Sequence, residues 1–127
     1  MKNLSVVFLI VMSSLSVMAQ TTKGVNGGAV VVMEGHPIEF VSKGQEIAFY
    51  ILEDDAKSPT LTAGAAARAV IQDGGKITAV ELSPAEPNVF VGKLAMPLGS
   101  NARVVFSAKV AGHNLQARFT KTEGVSR

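Results

Sequence analysis

The 127-residue sequence contains no cysteine and no tryptophan, and it has only one tyrosine and two histidines. Without cysteine the chain forms no disulfide and offers no thiolate to a metal ion, so its stability must come from packing. The core of an antibody-type domain is excluded for the same reason. Because His36 and His113 are the only histidines and no Gly-x-Ser-x-Gly motif occurs, no catalytic set can be assembled, and we predict that the protein is not an enzyme.

The charges are also nearly balanced, with 12 lysines and arginines against 10 aspartates and glutamates. No basic patch with interleaved aromatic residues is visible, so nucleic acid is not an expected partner. The glycine pairs at 27–28 and 74–75 lack the further residues of a phosphate-binding loop and are typical of turns.

Residues 1–19 have the three parts of a secretory signal peptide. Lys2 supplies the positive charge, residues 4–12 form an apolar run, and Val17-Met18-Ala19 matches the small-x-small cleavage pattern. The apolar run is roughly half of the ~20 residues that a membrane-spanning helix needs. We therefore expect cleavage after Ala19, export of the protein, and no membrane span after cleavage.

The remaining chain consists of short alternating apolar runs separated by turn residues, which is typical of β-strands. We predict a flexible leader at 20–26, one domain at 27–121 and a flexible tail at 122–127. The run at 46–53 is apolar on both faces and should be a central strand. Seven or eight short strands at this spacing indicate an all-β fold, an immunoglobulin-like antiparallel β-sandwich. They are predicted at 28–33, 36–42, 46–53, 65–72, 77–82, 88–94, 102–110 and 113–120.

His36, Glu39, Met33 and His113 are the candidate metal ligands. Imidazole and thioether groups suit copper, and imidazole also suits zinc. On a regular strand, residues three apart point to opposite faces, so His36 and Glu39 would share an ion only if Pro37 bends the chain.

His113 begins the last predicted strand and has the same parity as the inward-facing Leu115. If the first and last strands pair, as they do in many sandwiches, His36 and His113 converge. The alternative is that both are ordinary strand-end histidines, one solvated and one partly buried, and that Met33 and Met96 only fill the core.

A series of short motifs extends over nearly the whole domain. It resembles a family of small secreted proteobacterial proteins. The sequences of this family contain, in order, the motif His-Gly-Gly, the motif His-x-x-Glu-Leu/Phe-Val, an aromatic-Leu-x-Asp strand, a Gly-Ala-x-Ala-x-Val strand and a Leu-x-Pro…Asn…Gly hairpin. The matching segments in this chain are 26–30, 36–41, 49–54, 64–70 and 82–92.

Members of that family are often encoded beside heavy-metal efflux systems of the resistance-nodulation-division type, and similar segments occur at the N-terminal ends of the efflux adaptor subunits. The resemblance implies a periplasmic β-sandwich that binds or hands over a copper or zinc ion, with an efflux adaptor or another envelope protein as partner. One position departs from the pattern, because Asn26 replaces the first histidine of His-Gly-Gly. Asparagine is a poor ligand for such metals.

The alternative function is a periplasmic interaction module without a metal, which docks on an efflux or envelope component. The number of imidazole and thioether ligands that converge in the fold distinguishes the metal-binding function from the interaction module.

Overall fold

The computed structural model describes residues 22–110 and 112–121. The predicted signal peptide at 1–19 and tail at 122–127 lie outside these residues. The described chain is all β, and none of it forms a helix that could cross a membrane. Its strands are β1 (Thr22–Lys23), β2 (Ala29–Met33), β3 (His36–Lys43), β4 (Glu46–Ile51), β5 (Ala66–Asp73), β6 (Lys76–Ala85), β7 (Val89–Lys93), β8 (Arg103–Val110) and β9 (His113–Thr120).

The strands pair antiparallel in the order β1-β2-β3-β4-β7-β6-β5-β8-β9. Strand β6 joins two halves, because its residues 76–82 pair with β5 whereas Ser83–Ala85 pair with β7. At the other end of the order, β9 lies against β2, so the sheet nearly closes on itself. The predicted all-β antiparallel sandwich is confirmed, and 46–51 is a central strand between β3 and β7.

Phenylalanines from both halves form the centre of the core. Phe49 on β4 stacks on Phe106 of β8 with ring centroids 4.5 Å apart, and Phe40 on β3 meets Phe119 of β9 at 5.2 Å. All four rings are buried. Each buried aromatic side chain removes a large apolar area from water, so these contacts stabilise the packing of the two halves in a chain without disulfides.

Two boundaries differ from the sequence prediction. Residues 22–26, expected in the leader, form β1 and a loop bonded to Glu39. The pattern missed them because these polar residues are held by hydrogen bonds rather than by apolar side chains. Strand β6 also continues through Pro84 to Ala85, where a turn was expected, because this part changes its pairing partner from β5 to β7.

Candidate metal centre

Two tight turns place the histidines at the same end of the sandwich. Glu34 and Gly35 both have positive φ, at 52° and 81°, and form the two-residue hairpin turn between β2 and β3. Met33 and His36 are therefore direct cross-strand partners. A second two-residue connection follows Val110, whose cross-strand partner is His113. Each histidine is thus the first residue of its strand.

The two imidazole rings meet between β3 and β9. Their centroids are 5.3 Å apart, with an interplanar angle of 62°. His36 is 7% exposed, whereas His113 is exposed to solvent. A metal ion about 2.0 Å from a nitrogen of each ring, at a tetrahedral angle, would separate the ring centroids by roughly 5 Å. The observed spacing is close to this value, and it is also that of an ordinary edge-to-face contact between two rings.

Met33 supplies a third group beside this pair. Directly opposed residues of an antiparallel pair lie on one face with their Cβ atoms about 5 Å apart, so Met33 and His36 share the inner face. Met33 is half-buried and packs against the core. A thioether and two imidazoles thus belong to one end of the sandwich.

The ring of His36 is held in place through one nitrogen. His36 Nδ1 lies 2.8 Å from the Leu52 carbonyl oxygen and 3.2 Å from Thr60 Oγ1, and the Thr60 hydroxyl donates to Glu53 Oε2 at 2.7 Å. Because the carbonyl only accepts, Nδ1 carries the hydrogen. In the neutral ring Nε2 then has the free lone pair, which is the arrangement found for metal-binding histidines with an outer hydrogen-bond partner.

A turn around Asp55 brings Thr60 back beside His36. The Asp55 carboxylate accepts hydrogen bonds from the Lys57 and Ser58 amides and from the Ser58 hydroxyl. The bonds from Ser58, and then that from the Lys57 amide, lower the pKa of Asp55 below its usual value. Beyond the turn, the Thr60 amide donates to the Ile51 carbonyl at 3.0 Å. The loop therefore folds back onto the end of β4, beside His36.

Glu39 lies on the opposite face of β3 and has a different set of neighbours. It is 5% exposed, and its carboxylate accepts hydrogen bonds from the Asn26 amide (2.9 Å), the Asn26 side chain (3.1 Å) and the Gly28 amide (2.7 Å). A Cβ atom at Gly28 would collide with the Phe40 carbonyl oxygen, and one at Gly24 would collide with the Glu39 carboxylate. Glycine at these positions lets the backbone wrap around the carboxylate.

Three of the four predicted ligands are thus brought together and Glu39 is placed elsewhere. Pro37 does not bend β3 enough to change this, because the ladder with β2 continues through it. Within 22–110 and 112–121, no three His, Cys, Asp or Glu side chains gather as a potential metal site. A three-ligand site therefore depends on Met33. Sequence reasoning missed Thr60 and Glu53, since no local pattern indicates their distant contact with His36.

Comparison with known proteins gives no relative from which a function could be transferred. No family model, curated protein or solved structure matches the chain.

Proposed function

We propose that the protein is a periplasmic metal-binding accessory protein that holds or hands over a copper-type ion at His36, His113 and Met33. The observation that carries the proposal is the 5.3 Å approach of the two imidazole rings at inward-facing strand starts. The register that puts Met33 opposite His36 supports it, because a thioether is then available on the same face.

The donor set favours copper(I) over zinc. Two imidazoles and one thioether are a soft, low-coordinate set, which suits copper(I), whereas structural zinc sites usually have four ligands. The hydrogen bond from His36 Nδ1 to the Leu52 carbonyl leaves Nε2 as the ligating atom. His113 is exposed, so a bound ion would be accessible for transfer to another protein.

Two features outside this end of the sandwich support the periplasmic and efflux-related part of the proposal. Residues 1–19 have the pattern of a signal peptide, and the motif order resembles the efflux-associated family. Glu39 is left out of the ligand set because its hydrogen bonds fix the segment around Asn26.

Titration of the purified protein with copper(I), copper(II) and zinc, in competition with a chromophoric chelator, tests the proposal. We expect one copper(I) per chain, and we expect His36→Ala and His113→Ala each to weaken binding by more than about 100-fold, beyond the range typical of outer-shell residues. His113→Ala is the cleaner variant, since the His113 side chain is exposed and has no hydrogen bond within the described part of the chain.

Met33→Leu isolates the thioether, and Met96→Leu is its matched control because Met96 is 70% exposed and lines a groove beside β6 and β7. We expect Met33→Leu to lower copper(I) affinity about tenfold, the smallest loss usual for residues that support a metal site. We expect Met96→Leu to leave the affinity unchanged. Binding no tighter than millimolar, or binding that is unchanged in His113→Ala, would overturn the proposal.

The second candidate function is docking of a partner protein by strand addition. Residues 76–82 of β6 pair with β5 on one side and with no described strand on the other, since β7 joins only at Ser83–Ala85. Ile77 on this segment is 67% exposed. An unpaired edge beside an apolar side chain is a template for an added strand.

Co-purification with the efflux adaptor implied by the resemblance distinguishes this function from metal binding. If β6 is the docking edge, Ile77→Asp reduces recovery of the adaptor and leaves copper(I) affinity unchanged. If the adaptor is recovered equally with Ile77→Asp and wild type, docking at this edge is wrong.

A further inference from the structure

The outer face of β2, β3 and β4 is unusually apolar. In an antiparallel sheet with one solvated side, that side normally carries polar residues. Here two rows of cross-strand neighbours lie on this side. One row consists of Val30, Glu39 and Tyr50, and the other of Val32, Pro37 and Leu52. All of these residues except Glu39 are apolar or aromatic, and Val32 is 59% exposed.

These rows form the floor of a cavity of about 470 Å³. Residues 23–26, which Glu39 anchors, form one wall, and Ala56 and Asn88 contribute to another. The volume lies in the range of small-molecule sites, about 300–1,000 Å³. The buried carboxylate thus shapes the cavity by fixing the segment that borders it.

Two polar groups of the cavity lining keep unused hydrogen-bonding capacity, namely the Asn88 side-chain oxygen, which accepts, and the Tyr50 hydroxyl, which can donate or accept. Asn88 is 8% exposed, and its side-chain NH₂ donates to the Ile51 carbonyl at 2.8 Å, so its amide oxygen lies on the other side of the group. Within the described residues, neither this oxygen nor the Tyr50 hydroxyl has a hydrogen-bond partner. A buried acceptor without a partner costs free energy, which a ligand with a donor would recover.

We propose that this cavity binds a small, neutral, apolar molecule that carries one N–H or O–H donor, with the donor on the Asn88 amide oxygen. Lys23 at the exposed rim and Glu39 at the floor balance each other in charge, so a neutral molecule is favoured. The site lies on the outer face, whereas His36 and Met33 face inward, so it does not depend on metal binding.

Indole and 1-methylindole are a matched pair of probes, because the methyl group removes the only donor and leaves the ring. Two-dimensional ¹H–¹⁵N NMR of the metal-free protein is the measurement. We expect indole to bind with a dissociation constant below about 1 mM. Shifts should be confined to Val30, Val32, Tyr50 and Leu52 and to the side-chain NH₂ of Asn88. 1-Methylindole should bind at least roughly fivefold more weakly, as expected for one lost hydrogen bond.

Val32→Asp is the test variant and Ile77→Asp its control, since both replace an exposed apolar side chain, at 59% and 67% exposure, on different parts of the surface. Val32→Asp should abolish the indole shifts and Ile77→Asp should leave them intact. Equal binding of the two probes, shifts away from the cavity, or full binding to Val32→Asp would each overturn the proposal. Because His113 does not line this cavity, we expect His113→Ala to lose copper binding and to keep indole binding, so the two losses are separate outcomes.

Discussion

His36 and Glu39 are both buried and lie three residues apart on β3, but their polar atoms are used differently. One nitrogen of His36 is bonded to the segment 52–60, and the centroid of the ring lies 5.3 Å from that of the His113 ring. Both oxygens of Glu39 accept hydrogen bonds from residues 26–28. His36 therefore retains a lone pair for a ligand, whereas the Glu39 carboxylate serves the fold.

The difference shows that burial alone does not identify a ligand. The strand alternation separates the two side chains by placing them on opposite faces, and the neighbours on each face decide their roles. On the inner side these neighbours are another imidazole and a thioether. On the outer side they are backbone amides, which stabilise a buried carboxylate through charge-assisted hydrogen bonds.

Glu39→Ala tests the structural half of this comparison and has the largest expected effect. Removing the carboxylate leaves three donors of residues 26–28 without their acceptor, and we expect a loss of about 2–3 kcal/mol in the free energy of unfolding. Chemical denaturation measures it. Glu46→Ala is the control, because Glu46 is exposed on β4 and should change stability by less than about 0.5 kcal/mol.

Copper(I) titration of the same variant completes the test. The folded Glu39→Ala protein should keep the copper(I) affinity of the wild type within about twofold, because the proposed ligands on the inner face are unchanged. A small change in stability together with a large loss of copper(I) affinity would instead identify Glu39 as a ligand.

Thr60→Val probes the other half of the comparison, with a smaller effect. The substitution keeps the side-chain shape and removes the hydroxyl that lies between His36 and Glu53. We expect a loss of about 1 kcal/mol in the free energy of unfolding. Copper(I) affinity should fall by roughly tenfold, the lower end of the effect of outer-shell residues.

Nitrogen NMR of the His36 ring separates positioning from simple destabilisation. In the wild type, Nδ1 should show the chemical shift of a protonated ring nitrogen and Nε2 that of an unprotonated one. In Thr60→Val, Nδ1 loses one of its two acceptors and keeps the Leu52 carbonyl. The form of the ring with hydrogen on Nδ1 should therefore still predominate, but by a smaller margin. Thr78→Val, on an exposed position of β6, should change none of these measurements. A wild-type ring with hydrogen on Nε2 would contradict the assigned role of Thr60.

The fold was largely accessible from the sequence because its signals are local. Apolar alternation located the principal strands, and His113, which has the parity of the buried Leu115, is exposed but contacts the His36 ring. The convergence of His36 and His113 was predicted on the condition that the first and last strands pair. Among the described residues β2 and β9 do not pair, but they lie against each other and the two rings are in contact.

The parts that could not be predicted depend on contacts between distant residues. Nothing near Asn26 indicates that its amide meets the Glu39 carboxylate, 13 positions away, so residues 22–26 were assigned to a leader. The partners of His36 are likewise a backbone carbonyl and Thr60, 24 positions away. The outer-face cavity had one local sign, the run at 46–53 that is apolar on both faces, which indicated only a central strand.

Asp55→Asn has the smallest expected effect and sharpens the comparison through pH. Hydrogen bonds from Ser58 and Lys57 lower the pKa of Asp55 in the folded protein, so its carboxylate stabilises the fold above the unfolded-state pKa. This stabilisation is lost as the pH falls through the lower folded-state pKa. Asparagine has no such titration, so the melting temperature of Asp55→Asn should be slightly below that of the wild type at neutral pH.

The two melting temperatures should converge in strong acid, at about pH 2, where the Asp55 carboxylate is becoming protonated. A gap of the same size at both pH values would mean that the charge of Asp55 does not stabilise the turn. Because this turn returns the chain to His36 and has no hydrogen bond to residues 26–28, the variant should shift NMR signals around Thr60 and leave those of Asn26 unchanged. Such a result would show that the loop beside His36 can be perturbed without a change in the hydrogen bonds between Asn26 and Glu39.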